Sequence, residues 1–165
     1  SSQYNYSLCR EGQHWNWDGV NFEILHPDRD TYNSNNSSCV LYISNAKHSV
    51  LLTGDIEAQV ERQLLRSGSN INADILIAPH HGSKTSSHKR FIEAVSPDYV
   101  IFSSGYLNQF NHPHPDIVKL YTNSGTISLN TAETGSISWI IGEDDVLPEA
   151  ILYRQANNRF WRVLR

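Results

Sequence analysis

Residues 50–87 constrain the fold of this chain more than any other stretch. They hold two apolar runs, Val50-Leu51-Leu52-Thr53-Gly54-Asp55 and Asp74-Ile75-Leu76-Ile77-Ala78-Pro79-His80-His81-Gly82, each ending in a glycine beside a residue able to bind a metal. Short apolar runs bounded by turn signals read as buried strands, so Asp55 and the His80/His81 pair are predicted to emerge at the carboxyl ends of such strands. Between them, residues 56–67 read as a helix with Ile56, Val60, Leu64 and Leu65 on one face and Ser67-Gly68 closing it. A strand-helix-strand unit of this kind brings two sequence-distant groups to one edge of a sheet, where open α/β sheets carry their sites.

Upstream, the Asp18-Gly19 turn signal sits between two strand-like stretches, the first containing Trp15 and Trp17, and predicts a hairpin that ends at His26-Pro27. Residues 28–38 form a polar loop rich in Asn and Ser. Residues 39–44 and 49–53 flank a four-residue turn, 45–48, and predict a second hairpin. Downstream, residues 87–95 read as a short helix with Phe91, Ile92 and Val95 inward, stopped by Ser96-Pro97, and residues 99–103 as a buried strand. A loop at 105–115 carries Asn111-His112-Pro113-His114-Pro115, and residues 116–122 form a helix presenting Ile117, Leu120 and Tyr121. Strands are expected at 126–129 and 136–141, and at least one of 151–153 and 160–164 should be an edge strand. Strands first, then alternating helices and strands, predict an α/β fold with a mixed sheet and helices on at least one face.

A chain of 165 residues with 39% hydrophobic and 18% charged residues suffices for one domain with a real core. No apolar run approaches the roughly 20 residues needed to span a bilayer. The sequence holds no methionine, even at position 1, which points to an excised or processed piece of something longer. A net charge of -4 argues against coating nucleic acid by bulk electrostatics, so any phosphate binding must be local. One local asymmetry exists: no acidic residue occurs between Asp74 and Glu93, while Lys84, Lys89 and Arg90 follow His81, as in a phosphate-facing loop or a solvated surface. Cys9 and Cys39 fit neither a metal-ligand spacing nor a redox pair, leaving two quiet thiols or one disulfide.

Leu52-Thr53-Gly54-Asp55-Ile56-Glu57, the run from Pro79-His80-His81-Gly82 to Ser87, and Asn111-His112-Pro113 resemble the metallo-β-lactamase-like domain of ComEC-type competence proteins. Trp15-x-Trp17-Asp18-Gly19-Val20 and Asn36-Ser37-Ser38-Cys39-Val40-Leu41 extend the resemblance over most of the chain. It implies a four-layer αββα sandwich whose site holds one or two metal ions. It also implies a soluble domain of a bacterial inner-membrane protein, facing the periplasm. Its expected partners are single-stranded DNA, the membrane-channel portion of the same polypeptide and other competence proteins. The family's early His-x-His-x-Asp-His motif is absent here. Residues 1–165 are therefore expected to be a single unit, the carboxyl-terminal part of a domain lacking its first metal motif.

The resemblance makes Asp55, His80 and His81 the metal ligands, for Mn or Zn in the intact domain and with none expected to be held by this piece alone. For Asp55 the residues themselves leave open a helix N-cap. Adjacent strand residues point to opposite faces, so only one of the two histidines should ligate directly, and His80 is preferred. His112 and His114 are held extended by Pro113 and Pro115 and could point the same way. His112 is the candidate proton donor to a leaving oxygen, and His114 a phosphate contact. Ser83, Lys84, Thr85 and Ser86 are candidate phosphodiester-binding residues, although turn chemistry alone would also account for them. Asn35 and Asn36 stand where related enzymes often carry a further His. A periplasm-facing domain also implies a Cys9–Cys39 disulfide.

Two functions follow. One is a metal-dependent phosphodiesterase acting on the DNA strand that is not imported, active in the intact domain and inactive as this piece. There the metal would lower the pKa of bound water for in-line attack on phosphorus. The other is a catalytically silent module positioning single-stranded DNA, with Trp15, Trp17 and Tyr106 as stacking surfaces beside the loop at 84–90.

Overall fold

The computed structural model describes residues 7–29, 34–142, 144 and 146–157. β1 (His14–Trp17) and β2 (Val20–His26) form the first hairpin. Asp18 and Gly19 at its tip have φ of 51° and 82°, the two left-handed residues that a tight type I′ turn requires. β3 (Val40–Ser44) and β4 (Ser49–Leu52) form the second hairpin, whose turn closes when Asn45 Oδ1 accepts the Lys47 and His48 amides at 2.9 and 2.7 Å. The Cys9–Cys39 disulfide forms and ties the chain ahead of β1 to the start of β3.

From β4 onward the connections change character. α1 (Ala58–Ser67) leads to β5 (Ile75–Ile77), α2 (Lys89–Val95) to β6 (Tyr99–Phe102), and α3 (Pro115–Asn123) to β7 (Ile127–Asn130). β4 through β7 pair in parallel, and all seven strands lie in one mixed sheet in sequence order. This is the α/β class predicted. α1 ends as expected, with Gly68 left-handed at φ 75°, but begins at Ala58 rather than at residue 56, because Glu57 is extended.

Beyond β7, α4 (Thr131–Thr134) precedes β8 (Ile137–Ser138), which pairs antiparallel with β9 (Ile151–Leu152) just before α5 (Tyr153–Ala156). The strand expected over 136–141 is thus cut to two residues. Trp139 leaves the ladder to pack edge-on against Tyr99 at 5.4 Å and to donate its indole N–H to Pro148 O at 3.1 Å. The other tail strand considered, 160–164, lies outside the described residues.

The core lies on one side of the sheet. Leu51, Leu76 and Val100 stand in register on β4, β5 and β6 and pack against Val60 and Leu64 of α1, Phe91 and Val95 of α2, and Ile117 and Tyr121 of α3. Each large side chain buried there contributes about 1.5–3 kcal/mol. The alternate positions, including Leu41, Ile43, Val50, Leu52 and Ile77, form an apolar surface on the opposite face that stays half-buried. Parallel strands that are apolar on both faces normally carry a layer on each side.

Candidate functional site

The carboxyl ends of β4, β5 and β6 lie side by side, and the turns leaving them carry the candidate residues. Thr53 Oγ1 donates to Ile77 O at 2.8 Å and ties the exit of β4 to that of β5. Gly54 follows with φ 55°, and a Cβ there would come within 2.7 Å of Ser38 Cβ, so only glycine lets the chain pass under the Asn/Ser loop. Ser38 Oγ then accepts the Asp55 amide at 3.0 Å and donates to Asn35 O at 2.8 Å.

Asp55 is not a helix cap. Glu57 holds the N-cap position of α1 and makes no side-chain cap bond there. The Asp55 carboxylate instead faces an imidazole: His81 Nε2 lies 3.3 Å from Asp55 Oδ1, with both side chains near half exposure.

His80 and His81 do not continue a strand, which corrects the alternation argument. β5 stops at Ile77, Pro79 has no amide hydrogen to offer a ladder, and the pair sits in a 3-10 turn, Pro79–Gly82, with φ of 49° and 56°. The His80 amide donates to Gly54 O at 3.0 Å, which draws the turn onto the Asp55 loop. The two rings lie 6.4 Å apart, so the backbone does not send them to opposite faces of a sheet. His81, rather than the preferred His80, meets Asp55. His80 Nδ1 lies 3.2 Å from Thr85 Oγ1 and 3.8 Å from Glu57 Oε1.

His112 and His114 diverge. The His112 ring stands 5.9 Å from that of His80 and stacks on Phe110, also at 5.9 Å. Asn108 holds its backbone by accepting the His112 amide at 2.9 Å and donating to its carbonyl at 2.7 Å, while Nδ1 is buried with no hydrogen-bond partner among the described residues. Desolvation, reinforced by the charges of His80, His81 and His114 and opposed by Asp55, holds His112 below the usual imidazole range. His114 instead caps α3, its Nδ1 accepting the Asp116 amide at 3.2 Å.

The expected phosphate-binding residues are also sorted by the fold. Ser86 is buried and donates to Ile56 O at 2.8 Å, and Ser83 is buried with Oγ 3.2 Å from Thr85 Oγ1. Thr85 and Lys84 remain exposed, with Lys84 Nζ 3.0 Å from Asp116 Oδ2. Trp15 and Trp17 are not beside this loop. They belong to the edge strand β1, four strands from β5, which at about 4.8 Å per strand is roughly 19 Å.

Two acidic residues escaped the sequence reading. Glu57 sits against His80, and Asn36 Oδ1 accepts its amide at 2.9 Å. Glu61 is fully buried, and its signal was legible: a carboxylate beside Val60 inside the apolar stripe of α1. Among the described residues no three of His, Cys, Asp or Glu gather closely enough to hold a metal ion. Hydrolytic metal sites generally use three protein ligands, so the residues present do not by themselves fit one.

No family model matches the chain. It is 38% identical over 140 residues to Competence protein ComA of Neisseria gonorrhoeae, covering 84% of this chain and 20% of that protein. It is 36% identical over 121 residues to ComE operon protein 3 of Bacillus subtilis, covering 73% of this chain and 16% of that protein. The chain thus spans a fifth or less of these relatives' length. Among solved structures, one from Thermotoga maritima, described as a Zn-dependent hydrolase of the metallo-β-lactamase superfamily, aligns with a TM-score of 0.48 and 15% identity. That alignment covers 73% of this chain and 69% of the other.

Proposed function

Because the chain belongs to the metallo-β-lactamase-like domain family of ComEC-type competence proteins, we propose that it is the carboxyl-terminal part of a phosphodiesterase domain cutting the DNA strand left outside during DNA uptake. The observation that carries this reading is the 3.3 Å approach of His81 to Asp55, with the His80 and His112 rings alongside. Asp55 and His81, with His80 near, supply part of a divalent Mn or Zn site whose remaining ligands belong to an upstream part of the domain. Lys84 and Thr85 contact the phosphodiester, Lys84 exchanging its exposed partner Asp116 for a phosphate oxygen. His112, held below the usual imidazole range in this chain, would donate to the leaving oxygen once the negative phosphate beside it favours its protonated form.

The half-buried apolar face around Ile43 and Leu52 supports an upstream layer lying against the sheet. If so, Ile43→Glu costs about 1 kcal/mol in this chain alone, where the side chain is only half-buried. In a longer protein carrying that layer it should cost roughly 2 kcal/mol or more, since the carboxylate would be buried. Equal costs in urea titrations of both would discard the layer. The proposed partners are single-stranded DNA, the membrane-channel portion of the polypeptide and other competence proteins. No described helix is long and apolar enough to cross a membrane. The Cys9–Cys39 disulfide supports the periplasmic side, since such bonds persist in oxidising compartments.

A second reading, a silent module that positions single-stranded DNA, draws support from the incomplete ligand set and from exposed Tyr106 and Phe110. One experiment separates the two. This chain, the intact domain and the intact Asp55→Asn domain are incubated with single-stranded DNA and Mn²⁺. Cutting by the intact domain alone supports the nuclease. Binding without cutting by all three supports the silent module, and robust cutting by this chain would show that the site is misassigned.

A further inference from the structure

Glu61 is the most deeply buried carboxylate described, and none of the proposed chemistry uses it. It lies on α1, one turn after Glu57, with no exposed surface. Among the described residues its two oxygens pair with no cation. Oε1 accepts the Ser87 amide in a short hydrogen bond and Oε2 accepts the His88 amide at 2.8 Å. Ser87 has φ 63°, a conformation costly for a residue with a side chain, and its Oγ lies 3.0 Å from the buried Tyr121 hydroxyl of α3. Burial pushes that phenol well above its usual range, so it remains a neutral partner.

The same loop is stitched to the start of α1 by Ala58 N to Thr85 O at 3.0 Å and by the Ser86 hydroxyl to Ile56 O at 2.8 Å. Thr85, between these fixed points, is the residue that reaches His80 Nδ1. We propose that Glu61 is a positioning residue: its carboxylate clamps the loop at Ser87 and His88, and the clamped loop presents Thr85 so that the His80 imidazole is held in one orientation at the site. A hydroxyl can donate to or accept from Nδ1, so the Thr85 contact fixes where the His80 ring lies and hence where its other nitrogen points. The consequence for catalysis rests on the reading of the site given above; the clamp itself does not.

The chemistry allows a sharp substitution. Two backbone donors face two carboxylate oxygens. Glutamine has nearly the same volume but one oxygen and one NH2, so in Glu61→Gln one backbone N–H must face another donor. An unsatisfied buried donor of this kind should raise amide exchange at Ser87 or His88 by about tenfold or more. The experiment is NMR on the 165-residue chain, reading amide exchange at Ser87 and His88 and the ¹⁵N shifts of the His80 ring. Glu61→Gln is compared with Leu64→Ala, a core truncation on the same helix that should lower stability without touching the clamp.

We expect Glu61→Gln to speed exchange at one of the two amides and to shift the His80 ring nitrogens, and Leu64→Ala to leave the His80 ring as it was. An unchanged His80 ring in Glu61→Gln, or an equal change in Leu64→Ala, would overturn the proposal. If Glu61→Gln does not fold, the unaltered chain and Thr85→Val decide. Scalar couplings across the hydrogen bonds from both amide nitrogens to the Glu61 carboxyl carbon must be present, and Thr85→Val must shift the His80 ring while both amides stay protected. Absence of either result overturns it. None of these signals depends on turnover, so an inactive intact domain would sink the nuclease reading and leave the clamp standing.

Discussion

His81 Nε2 lies 3.3 Å from Asp55 Oδ1, a contact between the turns that leave two adjacent parallel strands, β4 and β5. Neither turn could build it alone. The Asp55 turn is held from one side by Ser38 and from the other by the His80 amide, and the histidine turn is in turn anchored to Gly54. On the proposed reading this carboxylate and imidazole are two of the metal ligands, where hydrolytic sites generally use three. We therefore predict weak binding of Zn²⁺ or Mn²⁺ by this chain in titration calorimetry. Asp55→Asn or His81→Ala should weaken it by a further factor of about ten or more, whereas His114→Ala, at the α3 cap, should change it little. Undiminished affinity in Asp55→Asn would move the ion elsewhere.

Gly82 joins the histidine turn to the His112 loop. It has φ 84°, and an added Cβ would stand 2.7 Å from Pro113 Cβ and 2.8 Å from Phe102 Cδ1. Gly82→Ala should lose about 1–3 kcal/mol in urea unfolding through overpacking and backbone strain, and should displace the His112 ring resonances. A variant with the parent's midpoint would mean that the Pro113 loop moves aside freely.

The Cys9–Cys39 disulfide closes a loop with a sequence separation of 30. On the chain-entropy model its reduction should lower unfolding free energy by about 3–4 kcal/mol. Urea titrations of the chain with and without reductant measure this. A difference below about 1 kcal/mol would show that the unfolded chain already keeps the two segments together.

Lys84 holds the Asp116 carboxyl below the usual carboxylate range, chiefly through its hydrogen bond and charge. A depressed folded-state pKa means that the unfolded state binds more protons on acidification. The pair's small contribution is therefore present at neutral pH and is lost as pH falls from the ordinary carboxylate value through the folded one. We predict that Lys84→Gln raises the NMR titration midpoint of Asp116 toward the ordinary value, and that added salt does the same in the parent, because the pair is exposed. A midpoint indifferent to both would assign the shift to the amide end of α3 instead.

By itself the sequence determined where the elements lie and which ends of them carry chemistry. Apolar runs closed by Gly54 and Gly82, the Asp18-Gly19 turn and the alternation through residues 39–53 are local signals, and local sterics and burial made them into β1 to β5 nearly as predicted. The neighbourhood of Asp55 with the histidine pair was legible for the same reason, because consecutive parallel strands joined by one helix must place their exits together. Tertiary structure alone decided which imidazole meets the carboxylate. Positive φ at His80 and His81 breaks the two-residue period of a strand, and that conformation is held by distant groups, Gly54 O and Gly82 against Pro113, which no local pattern encodes. Contacts between residues far apart in sequence likewise turned His114 into a helix cap, took Trp15 and Trp17 to the far edge of the sheet, and buried Glu61 under a loop that begins more than twenty residues after it.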